Sequence, residues 1–347
     1  MRAAAKVRAQ PGISLVDVDP PTLGVDDILV GVSYCGICGS DLPIYQWDGQ
    51  PQGWADGLPR VMGHEFAGRV LARGERVDPH RWANGTIVGV EPGVTCGECQ
   101  GCLAGFPNLC SRRSLVGIDR DGAFAPFVAV PAVNAYPLSP DTDLRHAAFL
   151  EVFALAVHAV ERARLRPVYR VLVVGAGPIG LSLVALARLA GCEAVEIAGL
   201  SQDVDVRLAL AAELGATASF VAPESPLRGS YDVVFEASGA WAGIRNALTS
   251  CRTGGRVVAV GTSTGDVPVD WADVVLRAIR VTPIRARLPR HWEEGARVLH
   301  RIPLPDGFFS TYPLEHIDLA FDAALRGAAV KVLVQPSADD ATRGGDG

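Results

Sequence analysis

Val171-Leu172-Val173-Val174-Gly175-Ala176-Gly177-Pro178-Ile179-Gly180 decides the fold of this chain. Four aliphatic residues in a row predict a short strand buried on both faces, the kind found in parallel sheets. A G-x-G-x-x-G turn follows, and it opens onto an apolar stretch of helical length, Ile179 to Ala190. Glycine turns are common, so the pattern alone says little. A strand before it and a helix after it supply the context that nucleotide binding requires. Gly175 makes the turn, Gly177 lets backbone amides approach a pyrophosphate, and Gly180 lets helix and strand pack closely. Pro178 and Ile179 begin the helix, where free N–H groups and the helix dipole favour an anion. Gly175, Gly177, Pro178, Ile179 and Gly180 are therefore read as dinucleotide-binding residues.

The same rhythm continues toward the carboxyl end. A second strand is predicted at Ala194 to Ala198, then a helix around Val206 to Leu214 stopped by Gly215. Tyr231 to Phe235 and Arg256 to Val260 read as further buried strands, with a helix at Trp241 to Cys251 between them. This alternation predicts a doubly wound parallel sheet, and Gly261, just past the last of these strands, joins the cofactor-binding positions. An acid about twenty residues past the turn normally holds the adenosine ribose. Gly199 stands there instead, in Ile197-Ala198-Gly199-Leu200-Ser201. The missing carboxylate removes the usual selection for NAD and leaves room for a 2′-phosphate, to which Ser201 can donate and Arg207 can bring charge. Asp203 and Asp205 can use the same loop to reach the ribose. The choice stays open, with a lean to NADP.

Before residue 150 the chain has a different character. Ile28 to Val32, Thr86 to Val90 and Phe127 to Val130 are short β-type runs set between dense Pro and Gly. That half reads as an all-β domain with loops. After Arg285 come a helix near Trp292 to His300, another at Ile317 to Leu325, and a strand at Val330 to Val334. This tail can return to the first domain. The last ten residues, Ala338 to Gly347, read as frayed.

The length of 347 residues suggests about two domains. With 49% hydrophobic and 20% charged residues the chain can build a core, which excludes a disordered protein. The longest apolar run, Gly175 to Ala190, is broken by Pro178 and Arg188 and falls short of a membrane span of ~18 residues. Met1 to Pro11 lacks the apolar core of a signal peptide and reads as a strand. Thirty-two basic against 38 acidic residues give a net charge of −6, with no basic concentration to attract nucleic acid or a membrane surface. Six of the eight cysteines lie in two short stretches, a pattern of metal binding rather than of a disulfide scaffold. These features describe a soluble, cytoplasmic enzyme that uses metal.

Cys96-Gly97-Glu98-Cys99-Gln100-Gly101-Cys102, followed by Cys110, places four thiolates close enough to surround one Zn2+ tetrahedrally. With Cys96, Cys99, Cys102 and Cys110 all committed, no position remains for substrate, so this zinc is structural. The remaining constellation is Gly36-Ile37-Cys38-Gly39-Ser40-Asp41, Gly63-His64-Glu65 and Glu151. Singly, Cys35 and Cys38 can be a redox pair, His64 a turn residue and Glu151 a helix amino-terminal carboxylate.

In this order, with the cysteine lobe and the glycine turn, these residues resemble the zinc-dependent medium-chain alcohol dehydrogenases from Met1 to about Gln335. Val234 to Gly239, Gly254 to Val258 and Lys331-Val332-Leu333-Val334 carry the same likeness. The resemblance implies an α/β protein. A discontinuous GroES-like β domain (residues 1–152 and 286–347) would enclose a Rossmann domain (153–285). It implies two zinc ions per chain, an NAD(P)(H) cofactor, a small alcohol or ketone substrate and a homo-oligomer of two or four chains. Cys38, His64 and Glu151 would ligate the catalytic zinc, with Glu65 able to exchange as a ligand. Ser40 would bond the substrate oxygen and pass its proton to the nicotinamide ribose, and Asp41 would orient His64.

Departures from the pattern are local. Pro43 stands where some members end the proton relay with a histidine, and Val152 follows Glu151 where proline is usual. Ile44-Tyr45-Gln46-Trp47-Asp48 resembles the threonine 3-dehydrogenase branch, but that branch carries a histidine where Gly93 and Val94 stand here, which argues against threonine as substrate. Trp47, Trp54, Phe124 and Phe153 are candidates for the pocket lining or for ordinary packing. His158 reads as a core residue, and His80, His146, His291, His300 and His316 as surface residues.

Overall fold

The structure is a computed structural model that describes residues 1–49, 54–222, 228–263 and 265–336. Two compact units emerge: Met1–Glu151 together with the stretch from Phe309 onward, and Val152–Phe308.

In the second unit, six strands run parallel in the order Ala218–Val221, Ala194–Gly199, Arg170–Val174, Tyr231–Glu236, Cys251–Ala259, Arg280–Pro283. Counted along the chain this is 3-2-1-4-5-6, the doubly wound order. The strand that opens the glycine turn lies near the middle, and its Val171, Leu172 and Val173 are fully buried. The helix Pro178–Leu189 has Gly177 at its N-cap and Pro178 in its first turn, and it buries every residue from Gly180 to Ala187. Each large aliphatic side chain so buried contributes about 1.5–3 kcal/mol. The expected helix at Val206 begins later. Ser201–Asp203 forms a tight turn and Val204–Leu208 a wide π-type turn before the α-helix Ala209–Glu213.

The expected return to the first unit at residue 286 falls at 309, because the helix Pro289–Val298 is tied to Leu150–Ala163. Arg290 donates twice to the Glu161 carboxylate, at 3.0 and 2.9 Å. His291 Nδ1 accepts from the Leu288 N–H at 3.0 Å, so its proton is on Nε2, which donates to Glu161 at 2.7 Å. The His291 ring stacks on His158 with centroids 4.2 Å apart, and His158 donates from Nδ1 to the Ala286 carbonyl at 2.8 Å. His158 is thus a satisfied core residue, as expected. His291 is fully buried rather than a surface residue, packed against His158 and bonded to Glu161, 130 positions away in the chain. Burial holds its pKa down at about 4.

In the first unit the long strand Asp27–Gly36 pairs with Glu65–Arg73 along one edge. Along the other it pairs first with Phe127–Pro131 and then with Lys331–Gln335. Ile87–Val90 and Ala135–Pro137 extend this sheet on one side, and Phe309–Pro313 on the other. Arg2–Lys6, the strand expected at the amino terminus, sits between Ser14–Asp17 and Arg60–Val61 in a second sheet. The core holds Ile28, Val30, Phe66, Phe124 and Phe321. The half expected to be all β also carries short helices, among them Asp41–Gln46 and Leu144–Ala148. Among the described residues no helix is long and apolar enough to cross a membrane. The stretch expected to fray, Ala338 to Gly347, lies outside the described residues.

Candidate functional site

The strand Asp27–Gly36 ends just before Cys38, and the strand Glu65–Arg73 begins just after His64. Their antiparallel register sets Gly36 opposite Glu65 and Cys35 opposite Phe66. Two loops therefore leave the sheet side by side, and the ligand atoms of Cys38, His64 and Glu65 lie within 4.8 Å of one another. Gly63 turns the second loop at φ 93°, where a Cβ would stand 2.8 Å from the Cys35 sulfur. Glu65, the alternate ligand of the sequence reading, is the carboxylate in this group. Glu151 is buried in the first turn of Leu150–Ala163 and is not part of it.

Asp41 is fully buried, and its Oδ2 accepts from the Cys38 N–H at 2.9 Å. Its Oδ1 lies 3.3 Å from His64 Nδ1, and His64 Nε2 lies 3.4 Å from the Ser40 hydroxyl. Burial alone disfavours a charged His64, but the negative charge of Asp41 and Cys38 outweighs it and raises its pKa well above the usual value. Surroundings that welcome a proton on this ring also welcome a metal cation. One thiolate, one imidazole and one carboxylate are donors of the zinc type, and three of them leave a fourth position free for an oxygen ligand. Cys35 is fully buried, and burial pushes its thiol well up, so it is a packing residue and not half of a redox pair.

Sequence reasoning missed one member of this site. Lys331, 4% exposed, forms an ion pair with Glu65 and donates to the Ile37 carbonyl at 2.8 Å. The two side chains meet over Gly36, where a Cβ would stand 2.5 Å from Glu65 Oε2 and 2.7 Å from Lys331 Cε. Burial works against the ammonium, but Glu65 and then Cys38 raise its pKa, and Glu151 adds to the effect.

The four-cysteine lobe closes as its spacing predicts. Sulfur–sulfur distances are 3.5 Å for Cys96–Cys110, 3.6 Å for Cys99–Cys102 and 4.0 Å for Cys96–Cys102. Tetrahedral zinc with Zn–S bonds of about 2.3 Å needs sulfurs about 3.8 Å apart. Backbone N–H groups of Cys102 and Ser111 hold the Cys99 thiol down at about 5, ready to ligate as thiolate. Beside the lobe, a Cβ on Gly93 would collide with the Arg113 guanidinium, 2.0 Å from Nε. That guanidinium is ion-paired with Glu91 at 2.5 Å, so the room a histidine would need here is filled.

In the second unit a cavity of about 800 Å3 opens over the glycine turn, lined in part by Gly175, Gly177, Gly199, Asp203, Arg207 and Arg245. Gly175 adopts φ 111° and a Cβ on it would press into the Ala237–Ser238 peptide at 2.8 Å. A Cβ on Gly180 would stand 1.9 Å from the Gly175 carbonyl oxygen, whereas on Gly177 it would meet nothing within 4 Å. The turn thus keeps one glycine for conformation, one for packing and one for open space beside the helix amino end, which fits a pyrophosphate. Pro178, Ile179, Gly180, Ser201 and Gly261 are not among the lining residues. Gly261 packs 2.2 Å from the Gly239 nitrogen, measured from its Cβ position, and so shapes the turn after Glu236. Ser201 is exposed. Of the aromatic candidates, Phe124 and Phe153 are fully buried core residues, while Trp47 and Trp54 pack together with ring centroids 5.8 Å apart.

Residues 24–140 match the alcohol dehydrogenase GroES-like domain, and residues 178–301 match the zinc-binding dehydrogenase domain. The chain is 36% identical over 345 residues to an L-threonine 3-dehydrogenase of Streptomyces coelicolor, covering 96% of this chain and 99% of the relative. A putative zinc-binding dehydrogenase of Sinorhizobium meliloti, solved with NADP, shares 30% identity and a TM-score of 0.83 over 97% of this chain and 100% of that one. The 2R,3R-butanediol dehydrogenase of Bacillus subtilis shares 26% identity and a TM-score of 0.85 over 97% and 99%.

Proposed function

This chain belongs to the zinc-dependent medium-chain alcohol dehydrogenase family, and from that premise we propose the role of each residue at its site. It is a zinc-dependent, NAD(P)-linked oxidoreductase that interconverts a secondary alcohol, polyol or amino alcohol and the matching ketone by hydride transfer. Zinc, when bound, polarises the substrate oxygen and lowers the alcohol's pKa, and the dinucleotide exchanges the hydride. We assign the catalytic metal to Cys38, His64 and Glu65, and a second, structural metal to Cys96, Cys99, Cys102 and Cys110.

The observation that carries this assignment is the approach of three zinc-type donors to within 4.8 Å, with the Ser40 hydroxyl 3.4 Å from His64 Nε2. Asp41 fixes the ring through Nδ1 and so keeps Nε2 aimed at the metal. Ser40 is exposed at the head of the helix Asp41–Gln46 and is placed to accept the proton that leaves the substrate hydroxyl. Pro43, in the same helix, has no group to pass it on, so the proton departs from Ser40 toward the ribose or solvent. This assignment exchanges the two glutamates of the family likeness, which gives Glu151 as the third ligand and Glu65 as the residue able to exchange with it; Glu65 is the one grouped with Cys38 and His64.

Zinc analysis combined with initial rates over a panel of secondary alcohols, polyols and amino alcohols tests this reading. Two zinc ions per chain and turnover of at least one panel class are expected; one zinc per chain overturns the two-site assignment. The name of the Streptomyces relative puts L-threonine first on the panel, and the Arg113 guanidinium over Gly93 argues for its being a poor substrate. Assembly into dimers or tetramers and a cytoplasmic location belong to the same proposal. The exposed Trp271, Val275 and Leu276 of one helix support self-association.

Ser40→Ala is expected to lower kcat about 10²-fold, the lower end of general acid–base assistance, with dinucleotide affinity unchanged. Wild-type turnover of this variant between about pH 6 and 9 would remove Ser40 from the proton path.

A further inference from the structure

The strand Ala194–Gly199 ends where the ribose-holding acid of a dinucleotide fold normally stands, and its last residue has no side chain. The space is nevertheless filled. From the Cβ position of Gly199, the Asp203 Oδ2 oxygen is 3.1 Å away, Ala176 Cβ 3.0 Å and Leu208 Cδ2 3.0 Å. The carboxylate oxygen of Asp203 therefore lies in van der Waals contact with the position that a side chain at residue 199 would start from. The chain delivers this carboxylate by a detour: Ser201–Asp203 turns sharply, and the π-type turn Val204–Leu208 carries the chain back to its helix.

We propose that Asp203 is the ribose-binding carboxylate of this enzyme, supplied from the loop in place of the missing side chain at 199, and that it selects NAD over NADP. The proposal rests on the reading of the 800 Å3 cavity as the dinucleotide site. Gly199, Asp203 and Arg207 all line that cavity. Asp203 is 5% exposed and is fixed before any ligand arrives. The Leu200 N–H donates to Oδ2 at 2.8 Å, and Arg207 Nη1 donates to Oδ1 at 3.2 Å. A carboxylate has about four acceptor positions, so two remain for the ribose hydroxyls.

Arg207 is the natural rival, because a guanidinium beside the ribose can hold a 2′-phosphate. Here it is engaged by Asp203, and releasing it to a phosphate would leave that phosphate against the same carboxylate. The Leu200 bond keeps the acid in place even when Arg207 moves. Asp205, the other acid of the loop, is exposed and does not line the cavity. The lean to NADP drawn from Gly199 treats its place as open, and three side chains crowd it. An added aspartate at 199 would meet Asp203 as a like charge, so it brings no gain in NAD affinity.

Fluorescence titration of the zinc-loaded full chain with NADH and with NADPH tests this independently of turnover. The wild type is expected to bind NADH at least about tenfold more tightly, the scale of one well-placed acid acting on both ligands. Asp203→Asn keeps the shape and the Leu200 bond, and is expected to collapse that ratio by weakening NADH and relieving NADPH. A wild-type preference for NADPH overturns the proposal, and its loss in Arg207→Ala would assign the phosphate to Arg207. An unchanged ratio in Asp203→Asn overturns it as well. Should that variant fail to fold, the wild-type ratio alone decides. Binding of neither dinucleotide would instead defeat the reading of the cavity.

Discussion

Cys38→Ala is expected to lower kcat/KM by ~10³-fold or more, with the protein still folded. Without its thiolate, the group of three donors found among the described residues is reduced to His64 and Glu65. A bound metal is worth several kcal/mol of transition-state stabilisation, and each tenfold in rate corresponds to about 1.4 kcal/mol, so ~10³-fold asks about 4 kcal/mol of this one ligand. The fold should survive because Cys38 is only half-buried and its backbone N–H keeps the bond to Asp41. Zinc content should fall from two toward one per chain, since the lobe of Cys96, Cys99, Cys102 and Cys110 is separate. Wild-type activity with zinc undiminished would defeat the assignment.

Lys331→Met is expected to act chiefly on the metal-free protein. Glu65 is 1% exposed, and Lys331 is the cation the structure pairs with it. Breaking a buried pair by removing one partner typically costs about 3–5 kcal/mol, because the other charge remains buried. Zinc on the same carboxylate would restore a positive partner, so the loss should shrink on loading. A Tm lowered by on the order of 10 °C in chelator, and by less than half as much with zinc, is the expected pattern. Equal losses in both states would mean that Lys331 is a packing residue only. The pH dependence has a definite sign: a raised lysine pKa contributes stability that is fully present below the unfolded value and is lost as pH rises through the folded one.

What could be read from the sequence was whatever a short run of residues settles by itself. Gly175, Gly177 and Gly180 announce their three tasks because strand, turn and helix are contiguous; in the structure Gly175 takes the left-handed conformation, Gly180 packs tightly and Gly177 faces open space. Four cysteines within fifteen residues can only converge. Cys38 and His64 were legible as candidate ligands through the family likeness, and the structure brings them together. What stayed hidden depends on partners distant in the chain or on the path of a loop. Lys331 read as part of a family phrase, since its meeting with Glu65 is made by strand pairing across the sheet. Residue 199 read as a vacancy, because the return of Asp203 follows from two irregular turns with no sequence signature. His291 read as a surface residue for want of a motif, and the same burial moved the boundary of the second unit to 308.

The placement of Lys331–Gln335 against Asp27–Gly36 bears on how the protein is made. Lys331 and Ile37, joined by one hydrogen bond, are separated by 294 positions. At a ribosomal pace of about 5–20 residues per second, roughly 15–60 s pass between their syntheses. By the end of that interval all six parallel strands have been synthesised, while the sheet that carries Cys38 and His64 still lacks the strands that complete one side and Glu65 has no cation. The nascent chain thus presents an acidic, thiol-bearing pocket before its lysine exists. Metal captured during translation would play the counter-ion's part until the last strand arrives, and zinc starvation should fall hardest on chains still being synthesised.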